Sequence, residues 1–346
     1  MKIAIVGVTG VVGETILRVL DERKIPIDEL GAFASRDRDV PLLHRHREWP
    51  IRAATREALA RGYDVVFFAS SDDASAELAE ASAASGAYVI DNSATFRLTE
   101  GVPLVVPEVN PAAATREHRI YPVANCTAIV LCVGIAPIAR LAGLRSVRVA
   151  TYQSVSGAGK AGLAALACEE LAAREIENAP APSPFAAPIF RNVIPLVGSS
   201  LDANGDSVEE KKLAAETRKM LDLPGLHVAA TTVRVPVRYA HSEAVFLETE
   251  RDTSVAAIAE ALARAPGVVF HADGIVTPRD VEGQDLVHVA RLRAEGESRR
   301  HFQLWVVGDQ VRKGAATNAV QILELLVARG YVSGSSAPKS LQHYGR

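Results

Sequence analysis

The sequence predicts an α/β protein in which a doubly wound parallel sheet forms the first domain and an α+β domain follows it. Short apolar strands alternate with helical patterns over the first 125 residues, whereas the segment after Cys126 is richer in strands. The chain has 346 residues, which is more than one hydrophobic core usually holds. We therefore expect two domains.

The elements of the first domain follow from hydrophobic periodicity. Continuous apolar runs bounded by turn residues indicate buried strands, and apolar residues spaced three and four apart indicate helices. The predicted strands are Lys2–Val6, Glu29–Ala34, Val65–Ala69 and Ala87–Ile90, and the predicted helices are Gly13–Arg23 and Ala74–Ser85. Because strands that alternate with helices form βαβ units, this sheet is predicted to be parallel.

The second domain begins with a long apolar helix. The predicted helices are Thr127–Leu141 and Val208–Leu221, and the predicted strands are Ser146–Ser154, His227–Arg238 and Ala244–Thr249. We assign residues 1–125 to the first domain and 126–310 to the second. A helix within 311–330 is expected to return to the first domain, and 331–346 is expected to be a flexible tail.

The composition argues against several classes of protein. Apolar residues make up 48% and charged residues 23% of the chain, the profile of a compact soluble protein. A net charge of −3 without clusters of Lys or Arg argues against nucleic-acid binding, so we expect a small-molecule substrate. No signal peptide and no membrane-spanning apolar run are apparent, which favours the cytoplasm. Three cysteines without a CxxC spacing suggest neither a disulfide framework nor a metal site.

A glycine-rich loop joins the first strand to the first helix. In such a loop the backbone can approach a pyrophosphate, and the helix N-terminus attracts its negative charge. The expectation is a Rossmann-type dinucleotide site formed by Gly7, Thr9, Gly10, Val11, Val12 and Gly13. The spacing is GxxGxxG and not the commoner GxGxxG, so an ordinary strand-to-helix turn is the alternative.

The residues after the second strand bear on the choice of cofactor. NAD-binding sheets place an acidic residue there, but this chain has Ser35 and Arg36. A hydroxyl and a guanidinium suit a 2′-phosphate, so NADP is favoured, with Arg36 preferred over Arg38 as its contact. Asp37 follows directly and weakens this interpretation. In the alternative, both arginines are ordinary exposed loop residues.

Cys126 is the candidate nucleophile. It follows Asn125, a residue that commonly caps helices, and opens a strongly apolar helical pattern. The N–H groups at a helix N-terminus favour a thiolate, which is the nucleophilic form of cysteine. Taken alone, a cysteine in an apolar segment is more often a packing residue, and we assign Cys132 and Cys168 to that class.

The sequence resembles the aspartate-semialdehyde dehydrogenase family over nearly its whole length. The motifs that carry the resemblance are Gly7–Gly13, Val89–Arg97, Val105–Asn110, Asn125–Thr127, Tyr152–Lys160, Arg234–Val237, His241–Glu243 and Lys313–Ala316. The resemblance implies a homodimer that reduces L-aspartyl 4-phosphate to L-aspartate 4-semialdehyde with NADPH, a step toward lysine, threonine and methionine.

The resemblance also implies three catalytic residues. Cys126 would expel phosphate and hold the acyl group as a thioester. His241 would be the acid–base catalyst, and Gln153 would orient the acyl group. For the cofactor, the resemblance implies that Ser156, Gly157 and Gln310 approach the nicotinamide.

For the substrate, the resemblance implies that Arg234 holds its carboxylate. Arg234 and His241 are seven residues apart and would face opposite sides of one regular strand, so we predict a bend near Pro236 or Tyr239. The remaining implied contacts are Glu209 to the ammonium group and Lys212, Arg97 and Asn125 to the phosphate. Neighbouring Glu210 and Lys211 leave the register of the Glu209 and Lys212 pair uncertain by one residue. Without the resemblance this pair would be a weak solvated ion pair.

Two other functions are compatible with the pattern. An N-acetyl-γ-glutamyl-phosphate reductase uses the same thioester chemistry on an acylated substrate, but its cysteine segment typically reads His-Pro-Gly-Cys where this chain has Ala-Asn-Cys-Thr. A catalytically silent NADP-binding paralogue would be expected to lose Cys126 or His241, and both residues are present.

Overall fold

The computed structural model describes residues 1–173, 183–198 and 200–332. Its strands are β1 Lys2–Val6, β2 Glu29–Ala34, β3 Leu42–His44, β4 Arg47–Trp49, β5 Ile51–Ala53, β6 Val65–Phe68, β7 Tyr88–Asp91, β8 Ile120–Pro122, β9 Leu144–Gln153, β10 His227–Arg234, β11 His241–Thr249, β12 Val268–His271, β13 Val287–Ala294 and β14 His301–Gly308. Its α-helices are α1 Val11–Glu22, α2 Arg56–Leu59, α3 Asp72–Ala84, α4 Cys126–Ala142, α5 Gly159–Ala173, α6 Val208–Leu221, α7 Val255–Ala263, α8 Pro278–Val281 and α9 Thr317–Ala328. Residues 333–346, which belong to the predicted flexible tail, lie outside the described residues.

The chain divides into two compact units. Unit 1 comprises Met1–Ala124 and the chain from Ala315 onward, and unit 2 comprises Asn125–Gly314. The sheet of unit 1 has the strand order β5-β2-β1-β6-β7-β8, and each of these neighbouring pairs is parallel. This arrangement confirms the predicted doubly wound parallel sheet.

Helices cover both faces of the unit 1 sheet. Ala4 and Val6 of β1 pack with Leu59 of α2 and Leu78 of α3. Because side chains alternate along a strand, Ile3 and Ile5 point to the opposite face, where they are fully buried. Helix α9 packs against α1 and β7, so the C-terminal helix belongs to this unit. Burial on both faces explains why β1 is a continuous apolar run.

Unit 2 is built on a mixed sheet, as the predicted α+β class requires. Its strand order is β10-β9-β11-β14-β13-β12, in which the two outer pairs are parallel and the three inner pairs are antiparallel. Helix α4 contacts β9, β11, β13 and β14, and α6 packs against α4 and β10. One face of the sheet is therefore covered by α4, while Tyr152 and Phe246 on the other face are 37% and 40% exposed.

The predicted bend between Arg234 and His241 corresponds to a strand break. Strand β10 ends at Arg234 and β11 begins at His241, and the two strands lie on opposite sides of β9. Pro236 lacks an N–H for a sheet hydrogen bond, which explains why β10 ends before the predicted Arg238. The segment between the strands crosses the end of β9 and places both side chains on the α4 face.

Candidate active site

Cys126 is the first residue of α4, and Asn125 is the N-cap. The Asn125 Oδ1 atom accepts hydrogen bonds from the N–H groups of Thr127 (2.9 Å) and Ala128 (3.3 Å). This confirms the predicted capping. The thiol is partly exposed, so it lies at the positive end of the helix and is accessible to a reactant.

Helix α6 directs two carboxylates toward this helix start. Glu209 Oε1 accepts hydrogen bonds from Asn125 Nδ2 (3.0 Å) and Gln153 Nε2 (3.1 Å). The fully buried Glu216 accepts a hydrogen bond from the Asn125 backbone N–H (2.5 Å). Glu209 and Glu216 are seven residues apart and therefore share a helix face. That spacing was a signal by which the sequence could have indicated Glu216, which our sequence analysis missed.

The neighbouring charges of α6 have other partners. Glu210 forms a capping box with Ser207, and Lys211 pairs with Asp202 at 2.9 Å. Glu209 is thus the glutamate that faces Asn125 and Gln153. The capping box was readable as Ser-x-x-Glu and would have fixed the register from the sequence. Lys212 is partly buried, and its role stays a prediction.

Arg234 and Gln153 lie at the ends of adjacent parallel strands. The Arg234 guanidinium donates to the Ser154 carbonyl oxygen (2.6 Å), and Gln153 Oε1 accepts from the Thr151 hydroxyl (3.1 Å). Burial lowers the pKa of Arg234, while the negative charges of Cys126 and Glu209 act in the opposite direction. Arg234 is thus a buried cation whose field reaches the nucleophile.

His241 is fully buried at the start of β11. Its Nδ1 atom lies 3.1 Å from the Ser154 backbone nitrogen and 3.1 Å from Ser154 Oγ. Burial lowers the pKa of His241 well below its usual value, and the positive charge of Arg234 lowers it further. A Cβ atom on Gly157 would lie 2.9 Å from a guanidinium nitrogen of Arg234 and 3.4 Å from His241 Nε2, so glycine leaves space beside both side chains.

Gln310 makes hydrogen bonds within unit 2. Its Oε1 atom accepts from the Ala240 backbone N–H (2.8 Å), and its Nε2 atom donates to the Ser156 hydroxyl. Ser156 Oγ lies 3.2 Å from Ser154 Oγ. The structure therefore joins Gln310 and Ser156 to the surroundings of His241, and their predicted contact with nicotinamide stays a prediction. Sequence motifs and periodicity do not reveal these long-range bonds or the position of Ser154 beside His241.

Gly314, which belongs to the Lys313–Ala316 motif, packs against Cys126. A Cβ atom at this position would lie 2.8 Å from the Cβ of Cys126. Glycine is therefore required for the chain to pass the nucleophile so closely. The neighbouring Lys313 is fully buried.

The predicted dinucleotide loop lies in unit 1. Gly7 has a φ of +85°, and a Cβ atom on Gly13 would lie 2.3 Å from the Gly7 carbonyl oxygen. Gly10 is the N-cap of α1, which begins with Val11 and Val12. A cavity of about 400 Å³ is lined by residues that include Gly7, Thr9, Gly10, Ser35, Ser70, Glu77 and Arg38.

The two arginines after β2 are placed differently. Arg38 lines this cavity, whereas Arg36 is not among the described residues that line it. The Asp37 carboxylate accepts a hydrogen bond from Ala53 N–H (2.7 Å), which ties the loop to β5. The expectation that Arg36 is the preferred contact therefore has no support from the lining of the cavity.

Arg97 also belongs to unit 1. Its guanidinium donates to the backbone carbonyl oxygens of Val123 and Asn92, each at 2.8 Å. The side chain is only 9% exposed and is held in a defined position. Its predicted contact with phosphate stays a prediction.

The remaining observations concern metals, membranes and the other cysteines. Within residues 1–173, 183–198 and 200–332, no group of three or more His, Cys, Asp or Glu residues is placed to hold a metal ion. No helix in that part of the chain has both the length and the apolar character needed to cross a membrane. Cys132 is fully buried, and burial raises the pKa of its thiol.

Comparison with known proteins identifies the family. Residues 2–117 match the family described as semialdehyde dehydrogenase, NAD binding domain, and residues 135–313 match semialdehyde dehydrogenase, dimerisation domain. The chain is 39% identical to the aspartate-semialdehyde dehydrogenase of Aquifex aeolicus over 96% of this chain and 99% of that protein. It is 41% identical to aspartate-semialdehyde dehydrogenase 2 of Vibrio cholerae over 94% and 97% of the two chains.

Solved structures agree with this assignment. The crystal structure of aspartate-semialdehyde dehydrogenase II from Vibrio cholerae superposes with a TM-score of 0.88 at 38% identity, covering 94% of this chain and 98% of that one. A second structure of that enzyme, complexed with ASA, superposes equally well. This chain belongs to the aspartate-semialdehyde dehydrogenase family.

Proposed function

We propose that this protein is an aspartate-semialdehyde dehydrogenase that converts L-aspartyl 4-phosphate into L-aspartate 4-semialdehyde through a thioester on Cys126, with NADPH as reductant. The observation that carries the proposal is the environment of Cys126. A cysteine opens a capped helix, and the residues around it supply a buried arginine, a buried imidazole, an amide and a carboxylate. The same sequence positions carry the family's catalytic motifs.

Cys126 is suited to attack an acyl phosphate. The first turn of α4 and the nearby Arg234 both favour the thiolate over the thiol. Attack of the sulfur on the acyl carbon forms the thioester, and phosphate leaves with the electrons of the broken C–O bond. One difficult displacement is thereby divided into two easier steps.

Arg234 and Glu209 match the two charges of an aspartyl group. The guanidinium of Arg234 would hold the α-carboxylate through two charge-assisted hydrogen bonds. Glu209 would accept from the α-ammonium group, and Gln153 would orient the acyl group. A carboxylate at this position favours a free amine over the acylated amine of an N-acetyl-γ-glutamyl substrate. We propose Lys212, Arg97 and Asn125 as the phosphate contacts.

The residues of unit 1 fit a dinucleotide. The glycine loop leaves no room for side chains, and the N-terminus of α1 follows it directly. The nicotinamide cofactor supplies the hydride that reduces the thioester. We propose NADP as the form used, because Ser35 and Arg38 line the adjoining cavity and suit a 2′-phosphate, with Arg36 as the alternative contact.

We further propose that unit 1 binds the cofactor and that unit 2 carries catalysis and homodimerisation. The open face of the unit 2 sheet supports dimerisation through this unit. Tyr152 and Phe246 are exposed there, and the ring centroids of Tyr152 and Trp305 lie 5.5 Å apart. Apolar aromatic surface of this kind is typical of protein interfaces. The cytoplasm is the proposed location of the enzyme.

The test measures reduction of NADP or NAD when the purified protein receives L-aspartate semialdehyde and phosphate. We expect reduction that requires phosphate, is faster with NADP, and is abolished in Cys126→Ala. Cys132→Ala is the matched control, because this buried cysteine lies on the same helix and should leave turnover in place. Folded wild-type protein that reduces neither cofactor would overturn the proposal. Turnover of only the N-acetylated substrate would indicate the reductase instead.

A further inference from the structure

The hydrogen bonds around His241 determine which ring nitrogen carries its proton. The Ser154 backbone N–H points at His241 Nδ1 over 3.1 Å. A backbone N–H can only donate, so Nδ1 must be the acceptor and carries no proton. In a neutral imidazole the proton is then on Nε2.

A chain of side chains supports the same assignment. Because the Ala240 N–H donates to Gln310 Oε1, the amide of Gln310 has only one orientation, and its Nε2 atom must donate to Ser156 Oγ. The Ser156 hydroxyl is then free to donate to Ser154 Oγ, whose own hydroxyl hydrogen can point at His241 Nδ1. From Gln310 to Ser156 and from Ser156 to Ser154, each residue thus donates to the next one, and Ser154 donates to His241 Nδ1.

We propose that His241 works as an imidazole whose single proton is on Nε2, and that Ser154 and Gln310 are positioning residues that hold this tautomer. The proposal rests on the proposed function and assigns a narrower role to His241. Its Nε2–H donates a hydrogen bond to the substrate carbonyl oxygen as negative charge develops there.

The surroundings of Nε2 fit a donor aimed at a ligand. Within the described part of the chain, this buried nitrogen has no hydrogen-bond partner. Gly157 lies beside it without a side chain. The charged group that acts electrostatically on the ring is Arg234. The negative charges of Cys126 and Glu209 act in turn on Arg234. A positive neighbour and full burial both favour a ring without a second proton.

The steps at the acyl carbon show what a proton on Nε2 can do. Sulfur adds to the acyl carbon, the carbonyl oxygen gains negative charge, and the C–O bond to phosphate then breaks as the carbonyl re-forms. Phosphate takes the electron pair and its proton comes from solvent. When the aldehyde later forms, Cys126 leaves as a thiolate. In these steps Nε2–H stabilises the oxyanion.

The direct test is a long-range ¹H–¹⁵N spectrum of the full-length protein labelled with ¹⁵N-histidine. His241 is identified as the signal lost in His241→Gln. We expect an unprotonated Nδ1 and a protonated Nε2. A protonated Nδ1 at neutral pH would overturn the proposal. In Ser154→Ala the backbone N–H remains, so the tautomer should be retained, and its reversal would show that this N–H does not fix the ring.

Gln310→Glu tests the direction of the hydrogen bonds that lead from Gln310 through Ser156 and Ser154 to His241. A carboxylate still accepts from Ala240 but must also accept from Ser156, so the Ser156 hydroxyl no longer donates to Ser154. With the added negative charge, the pKa of His241 followed by the same spectra should rise by about one to three pH units. Gln284→Glu is the matched control, since it makes the same change at an exposed position of unit 2 and should leave this titration unchanged.

These measurements separate the tautomer from the proposed function. If Gln310 serves only the nicotinamide, Gln310→Glu changes the KM for the cofactor and leaves the His241 titration in place, which would overturn its positioning role. An inactive wild-type enzyme with the Nε2–H tautomer would refute the proposed function alone. An active enzyme with a protonated Nδ1 would refute this inference alone.

Discussion

Asn125 has two separable tasks, and a pair of substitutions distinguishes them. Its Oδ1 atom caps α4, while its Nδ2 atom donates to Glu209. Asn125→Ala removes both interactions. Asn125→Ser restores a cap, because serine is as good an N-cap as asparagine, but cannot replace the amide donor.

The cap determines the expected change in stability. Replacing an N-cap by Ala costs about 1 kcal/mol, within a range of roughly 0.5–2 kcal/mol. For a unit of this size that lowers the melting temperature by roughly 2–4 °C. Asn125→Ser should lie within about 0.5 kcal/mol of the wild type. Fluorescence of Trp305 in a Trp49→Phe background reports the transition of unit 2, because these are the two tryptophans of the chain.

The amide donor determines the expected change in activity. A hydrogen bond to a charged group contributes about 1.5–3 kcal/mol, so both variants should lose roughly ten- to a hundredfold in kcat/KM. Equal stabilities of Asn125→Ala and Asn125→Ser would refute the capping argument. Full activity of Asn125→Ser would refute the importance of the contact with Glu209.

Three further predictions concern other parts of the molecule. Gly157→Ala places a methyl group 2.9 Å from a guanidinium nitrogen of Arg234 and 3.4 Å from His241 Nε2. The variant should lower kcat/KM by about a hundredfold or more while circular dichroism shows an intact fold; near wild-type turnover would show that this space is not used. Arg38→Ala should weaken NADP binding about tenfold or more and NAD binding little, in equilibrium titrations, and a larger effect of Arg36→Ala would return that role to Arg36. Burial raises the pKa of Glu243 well above its usual value, so the folded protein keeps a proton that the unfolded chain loses above about pH 4.3. The free energy of unfolding of the wild type therefore falls as pH rises from about 4.3 toward the raised pKa of Glu243. In urea unfolding Glu243→Gln should be more stable than the wild type by a margin that grows with pH. A margin independent of pH would contradict the raised pKa of Glu243.

The sequence predicted elements whose periodicity is strong and local. The bounds of β1, β2 and α6 coincide with the predicted ones, because each is a single uninterrupted pattern. Strand β13 was not predicted, and its structure explains why. Arg291 has a φ of +55°, and the pairing with β14 shifts register between Ala290 and Arg293, so the alternation is broken.

In the site, contacts between residues close in the sequence were predictable, and contacts between distant residues were not. The cap of Cys126 was predictable because it involves adjacent residues. The register of Glu209 was also readable, since the capping box uses Glu210. The bond from Ala240 to Gln310 joins residues 70 apart in the chain and depends on strand order, which periodicity does not reveal.

Ala240 shows how the fold holds the imidazole in place. Its φ of +67° is unusual for a residue with a side chain and costs about 1–3 kcal/mol unless surrounding contacts offset it. The left-handed turn ends the crossing from β10 and directs His241 toward the α4 face. The offsetting contact is the hydrogen bond to Gln310, and the same glutamine amide directs Ser156 toward Ser154. One side chain thus fixes both the backbone before His241 and the hydroxyl chain that ends at its Nδ1 atom, so the position of the ring and the location of its proton are set together.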